Sequence, residues 1–336
     1  MAMTAPLAYT RVRGRSRGLL RCFLGLSRNG NSGGKPQSPP VEEQDVNGVG
    51  STSTTMRRRE FVVTPHHHGN SHLEGLLNLA GREKEEFAGA LVKLEHHMQL
   101  EVAEALIFNI RKYTNGGMLP SADGSLPKLR PDQQEVVTEF IPEVMRIMDR
   151  LEQQGHHHRD ARVALYATEA LSYEVSTKNV VKAAPQLARI FKNIDMMVAK
   201  HPELKGGAPF IIQGMMFLNA PIPVRSVKKA KECFQSAHRI DATSPRNNYF
   251  CGVTAYLEKD YTEAHTYFAE SLRLAQEAAA IASAVRKGVA LSGDGGGERG
   301  GGCAEAENPA NKEMPMDEYL HVQCRLGMDL ASSRIK

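Results

Sequence analysis

Apolar positions recur at helical spacing along most of the chain. From Asp132 to Leu151, the positions Val137, Phe140, Ile141, Val144, Met148 and Leu151 follow the i, i+3, i+4, i+7 rule of an amphipathic helix. Pro131 suits its first turn, and Asp132 and Glu135 suit the positive end of its dipole. The stretch from His72 to Tyr113 carries the same period at Leu77, Phe87, Leu91, Leu94, Met98, Val102, Ala105 and Phe108. Residues 114–131 read as a loop by their Gly, Pro and Ser content. A helix with a small-residue face (Val163, Ala164, Ala167, Ala170, Leu171) is predicted from about Asp160 to Tyr173. Another runs from Val180 to Lys200, with Pro185 marking a start or a kink. Two shorter pairs follow: Phe210–Asn219 with Ser226–Arg239, and Arg246–Glu258 with Tyr261–Ala275, the last continuing through an Ala-rich run towards Val285. Leu291–Asn308 is a Gly-rich, low-complexity stretch that reads as disordered. Met316–Ala331 closes the chain as an amphipathic helix, the capping element expected at the end of a helical stack. The β-branched alternation that marks strands is almost absent.

Within the two shorter pairs one pattern occurs twice. Ala230, Phe234 and Ala237 fall on Ala264, Phe268 and Ser271, each 34 positions later. A small residue, an aromatic four later and a small residue three later again lie along one helical stripe. Repetition at this period predicts stacked helix hairpins, each too small to bury its own apolar face.

Residues 245–275 resemble a tetratricopeptide repeat. Pro245 opens the copy, Gly252 stands where the family needs a small residue, Lys259-Asp-Tyr-Thr-Glu-Ala264 looks like its turn and second-helix start, and Ala264, Phe268 and Ser271 match its stripe. The preceding copy is similar in its second helix; its Gly214 sits four residues early, which an Ala220-Pro-Ile-Pro223 insertion accounts for. That interrupted hairpin looks like the divergent repeats of TRAP-transporter T-component and regulator-of-microtubule-dynamics proteins. Ile190, Ile194, Met197 and Pro202 keep the spacing of a degenerate upstream copy without its small residues. The resemblance implies an all-α fold of stacked antiparallel hairpins, a TPR-like α-solenoid, whose first helices line a groove. Carried onto this chain, the groove residues are Ile211, Met215 and Leu218 in one copy and Arg246, Tyr249, Val253 and Tyr256 in the next. Tyr249 and Tyr256 have a plainer reading as packing between hairpins. The family's carboxylate-clamping Lys and Asn are not evident, so capture of a peptide or helix on an apolar face is expected.

Composition sharpens this. Aromatic residues make up 6%, Trp is absent and Met numbers 14, as suits helix-on-helix cores of Ala, Leu and Met. Up to Val41 the chain has seven basic residues (Arg11, Arg13, Arg15, Arg17, Arg21, Arg28, Lys35) and no acid, leaving 35 basic against 38 acidic residues beyond. The body therefore needs no polyanionic partner. Arginine mixed with Leu19, Leu20, Phe23, Leu24 and Leu26 is the composition of an organellar transit peptide, and Asn29–Thr55 reads as a flexible tether. A mitochondrial location is expected, with a cytoplasmic one as the alternative. No apolar run approaches the roughly 18 to 20 residues that span a bilayer. The cysteines (Cys22, Cys233, Cys251, Cys303, Cys324) show no CxxC, and Cys233 and Cys251 read as small core residues.

Candidate chemistry is sparse. His66–His68, His156–His158 and the pair His96–His97 lack HExxH or converging spacing and read as surface histidines. Gly296–Gly302 lacks the Lys-Ser/Thr ending of a phosphate loop. Arg225, Lys228, Lys229 and Lys231 form a basic patch read as a solvated face. The expected organisation is a transit and tether segment over 1–55, helices over 70–205, TPR-like repeats over 206–288, a Gly-rich loop over 289–312 and a capping helix over 313–336. The expected function is non-catalytic: an adaptor or assembly subunit of a mitochondrial complex, with no cofactor, binding a protein partner. An RNA-associated factor and a His-cluster metal protein are the alternatives.

Overall fold

A computed structural model describes residues 84–177, 180–220, 225–292 and 317–335. The Arg-rich N-terminal segment, Pro221–Val224 and the Gly-rich 293–316 lie outside the described residues. Among those described there are ten α-helices and no strand: α1 Lys84–Val92, α2 His96–Tyr113, α3 Pro131–Gln153, α4 Ala161–Ser176, α5 Val180–Lys200, α6 Ala208–Asn219, α7 Val227–Ile240, α8 Pro245–Leu257, α9 Tyr261–Ser292 and α10 Asp317–Ser332. A 3-10 turn over His156–His158 precedes α4.

Local chemistry sets the helix ends. Asp160, Ser226 and Ser244 each accept a hydrogen bond from a backbone N–H of the first turn of α4, α7 and α8, which satisfies donors that have no partner within the helix. Asp260 Oδ1 does the same for Glu263 N–H at 3.0 Å. Pro131 opens α3, where its missing N–H costs nothing. Pro185 lies inside α5 rather than starting it. The single periodic stretch predicted over 72–113 divides, within the described residues, into α1 and α2. Lys93 and Leu94 turn back on Ala90 and Leu91 carbonyls at 3.1 and 3.2 Å, and Glu95 is extended. The apolar period survives this break because Phe87 and Leu91 of α1 face the same core as Val102 and Leu106 of α2.

Consecutive helices pack on one another from α2 through α10, and α2 also touches α4 as α8 touches α10. Buried apolar side chains fall into two clusters. One is built on α1–α5, with Ala208 of α6, from Leu, Ile, Val, Ala, Met, Tyr and Phe. The other spans α6–α10 and is built around Phe234, Tyr249, Phe250 and Phe268. In the second, aromatic rings sit against glycine. A Cβ on Gly214 would stand 2.3 Å from Phe234 Cε1, and Cβ atoms on Gly252 and Gly327 would stand 2.8 and 2.7 Å from Cδ1 and Cδ2 of Phe268. The stripe read from the sequence thus meets glycine on the neighbouring helix in both copies. Ser271 is fully buried; its hydroxyl donates to Pro245 O at 2.7 Å and receives Cys324 Sγ at 3.2 Å.

Candidate functional site

An open cleft of about 520 Å³ lies where the two halves face each other. Its apolar wall comes from Leu165 of α4, Leu187 and Ile190 of α5, and Ile211, Ile212, Met215 and Met216 of α6; Arg246 and Phe250 of α8 stand at its far side. The α2–α3 loop supplies Gly116, Met118, Leu119 and Leu126. Such a mixture of pliable Met and branched aliphatic side chains offers shape with little fixed polarity.

The charged groups in the cleft are engaged with one another. Arg111 makes a two-pronged contact with Glu169, its Nε lying 2.5 Å from Oε1. Lys205 Nζ donates to Glu104 Oε1 at 3.2 Å. Burial alone would raise the Glu104 carboxyl, but Lys205 and the Tyr166 hydroxyl outweigh it and hold the carboxyl below its ordinary range. Burial pushes the Tyr166 and Tyr173 hydroxyls up, and the negative Glu104 and Glu169 add to this. Arg246 Nη2 donates to the Lys205 carbonyl at 2.8 Å. Ion pairs of this kind fix their side chains within the lining; the shifted carboxyl and hydroxyls move away from neutrality, where proton transfer would be useful.

The second feature is the loop itself. After Asn115 and Gly116 turn the chain with φ of 51° and 67°, it leaves the first half and docks on the second. Tyr249 OH of α8 donates to Pro120 O at 2.6 Å, and Ala122 N–H donates to Gln323 Oε1 of α10 at 3.0 Å. Leu119 and Ala122 are buried in the second cluster. Gly124 has φ of 79° and lies so close to α8 that a Cβ would stand 2.6 Å from Leu257 Cδ1, a place only glycine fits. Burying Leu119 contributes about 2 kcal/mol, and each hydrogen bond adds about 1 kcal/mol.

The sequence-predicted groove residues separate into three groups. Ile211, Met215 and Arg246 meet on the cleft. Leu218, Tyr249 and Val253 lie in the packed interior, and Tyr249 is spent on the loop. Tyr256 is half-buried, edge-on to Tyr261 with ring centres 5.4 Å apart. Sequence reasoning missed Ile212 and Met216, and although it read 114–131 as a loop it did not place that loop at the cleft. Residues 208–219 are apolar on nearly every side, so periodicity could not choose the face of α6. For the loop the signal was its length, since long connections in compact folds usually carry a role.

Among the described residues no three His, Cys, Asp or Glu side chains converge to hold an ion, and His66–His68 lie outside them. His96 instead stacks on His156, ring centres 4.4 Å apart. Cys233 and Cys251 are buried and free, and burial pushes both thiols up to about 12. In the basic patch, Lys231 Nζ lies 2.6 Å from Glu258 and 3.8 Å from Glu263, and Lys229 sits over the Phe217 ring. Among the described residues no helix is long and apolar enough to cross a membrane. The chain matches no family model, and no significant match to a curated protein or a solved structure was found.

Proposed function

We propose that this protein is a non-catalytic interaction module of TPR-like helix hairpins, an adaptor or assembly subunit that takes an apolar segment of a partner protein into the cleft between its two halves. The cleft carries this reading: about 520 Å³ of open, aliphatic and Met-lined space, with Arg111, Glu169, Lys205 and Glu104 already paired among its lining residues. An uncharged apolar segment gains most there, because it displaces water from apolar walls and asks no buried ion to change partner. The Arg-rich, acid-free first 41 residues support mitochondrial import, which would make the partner a mitochondrial protein.

The test is affinity purification of the full chain beside Ile212→Glu and Met216→Glu. Both positions are half-buried on the cleft wall, so circular dichroism should show unchanged helicity. A partner retained by the parent and lost by both variants is the expected result. An identical set of retained proteins in folded variants would remove the cleft from the function.

A further inference from the structure

Helix α10 is packed on one side and bare on the other. It lies antiparallel to α9: Gly327 sits against the Phe268 ring, and Cys324 Sγ donates to Ser271 Oγ at 3.2 Å. It also touches α8, so α10 stands to the α8–α9 pair as α4 stands to α2–α3. The two differ on their far sides. α4 is covered there by α5 and is buried almost all round. α10 buries Leu320, Gln323, Cys324, Gly327 and Ala331, and leaves Val322, Arg325, Leu326 and Asp329 exposed. These four stand at i, i+3, i+4 and i+7, so they share one face. Of the six large apolar side chains exposed among the described residues, three (Val322, Leu326 and Ile335) lie on α10 or just beyond it. The outer face of an end helix in a stack is ordinarily polar, because it meets water.

The charges on this face suit a second copy of the same face. Arg325 and Asp329 have no ion pair or side-chain hydrogen bond within their own chain. An Arg placed four residues before an Asp is the weaker order for pairing along one helix. The two residues stand two positions to either side of Gly327. A two-fold axis opposite Gly327 makes the second α10 run antiparallel to the first, the same sense in which α10 lies on α9. Arg325 of each copy then faces Asp329 of the other. The two Leu326 side chains meet beside the axis, about 3 Å apart along the helices. A parallel pair would set Arg325 on Arg325 and Asp329 on Asp329, and like charges would oppose it.

We propose that the bare face of α10 is a self-association surface, on which a second copy of this chain docks through its own α10 about a two-fold axis. Such a contact is self-complementary, so one set of residues serves both sides. It goes beyond the cleft reading and does not rest on it, since none of α10 lines the cleft. The pair would carry two clefts, and a partner offering two segments would gain from their linkage. One helix pair makes a small interface, so the dimer should come apart on dilution.

The test is sedimentation velocity of the full chain over a dilution series. The parent should pass from one chain per particle to two as concentration rises. Arg325→Asp and Asp329→Arg each turn both reciprocal pairs into like charges, and each should weaken association by at least about tenfold. The double change R325D/D329R restores the pairs in reverse order and should bring association back to within about threefold of the parent. Leu326→Ser, which leaves the charges in place, should weaken it as well. All three positions are exposed, so circular dichroism should show parental helicity. A chain that stays single at every concentration overturns the proposal. So does a dimer that the single reversals leave intact or that the double reversal fails to restore, because its contact lies elsewhere. Ile212→Glu should leave self-association unchanged while removing the partner of the cleft, so the two readings fail separately.

Discussion

The two halves of the molecule are held together by different means. Around α2 and α4, charge is buried with its counter-charge: Arg111 with Glu169, Lys205 with Glu104. Around α8 and α9, the buried polar groups are neutral. Asn247 Nδ2 reaches the carbonyls of Gly206, Ala237 and Asp241 at 2.9, 3.1 and 3.0 Å, Asn248 reaches those of Ala242 and Ser244, and Ser271 reaches Pro245. Aromatic rings laid against glycine do the rest. The second device repeats, because it depends on one ring and one absent side chain at a fixed spacing. The first does not, because each ion pair needs its own geometry.

The largest expected effect breaks the aromatic half. Phe268 is fully buried between Gly252 and Gly327. Phe268→Ala leaves a cavity with glycine on both sides and should cost about 4 kcal/mol. Urea unfolding followed by circular dichroism measures the loss. Hydrogen exchange should place it in α8–α10, with α2–α4 amides less affected. A uniform loss across both halves would show that the two clusters unfold as one unit and that the contrast has no energetic content.

The ionic half is tested by Lys205→Met. Removing one member of a buried pair strands the other, and a loss of about 3 kcal/mol at pH 7 is expected. The pH dependence has a definite sign. In the parent, the Glu104 carboxyl is held below its ordinary value of 4.5, so its contribution is complete above that value and fades as pH falls through the lower folded one. In Lys205→Met the attraction is gone and burial should push the same carboxyl up. Protonation then relieves the stranded charge, and the gap between variant and parent should narrow from pH 7 to pH 4. A gap constant over that range would mean that Lys205 acts through packing alone. The double change E104L/K205M should recover most of the loss, since an apolar pair of similar volume needs no counter-charge.

This contrast also explains what the sequence could tell. Helix positions, the all-α class and the Ala/Phe/small stripe follow from apolar period and residue size, which are written locally. Gly214 against Phe234 was readable as well, once the four-residue shift was attributed to the insertion after Asn219. The ion pairs were not: Arg111 and Glu169 are 58 positions apart, and nothing in either helix names the other. Nor was the docking of Leu119 onto α8, a contact spanning 129 positions between Pro120 and Tyr249. Tyr249 and Val253 read as groove-lining because the family pattern gives the side of the helix; it does not say that the chain's own loop lies on that side. The break between α1 and α2 escaped because both helices face one core.

The smallest effect concerns a charge that belongs to neither device. Lys231 on α7 reaches Glu258 and Glu263 at the α8–α9 turn, with its side chain 27% exposed. Its hydrogen bond to the neighbouring Glu258 is the main reason its ammonium is held above the ordinary range. A pair open to solvent contributes only a few tenths of a kcal/mol once screening and side-chain entropy are counted. Lys231→Ala should therefore lower stability by less than about 0.5 kcal/mol in dilute buffer, and the difference should vanish in 1 M salt, where the screening length falls to about 3 Å. A larger, salt-independent loss would assign the effect to the aliphatic stem of Lys231 packed beside the second cluster. The connection between the hairpins would then be apolar throughout, and the contrast between an ionic and an aromatic half would be sharper than the ion pair at this turn suggests.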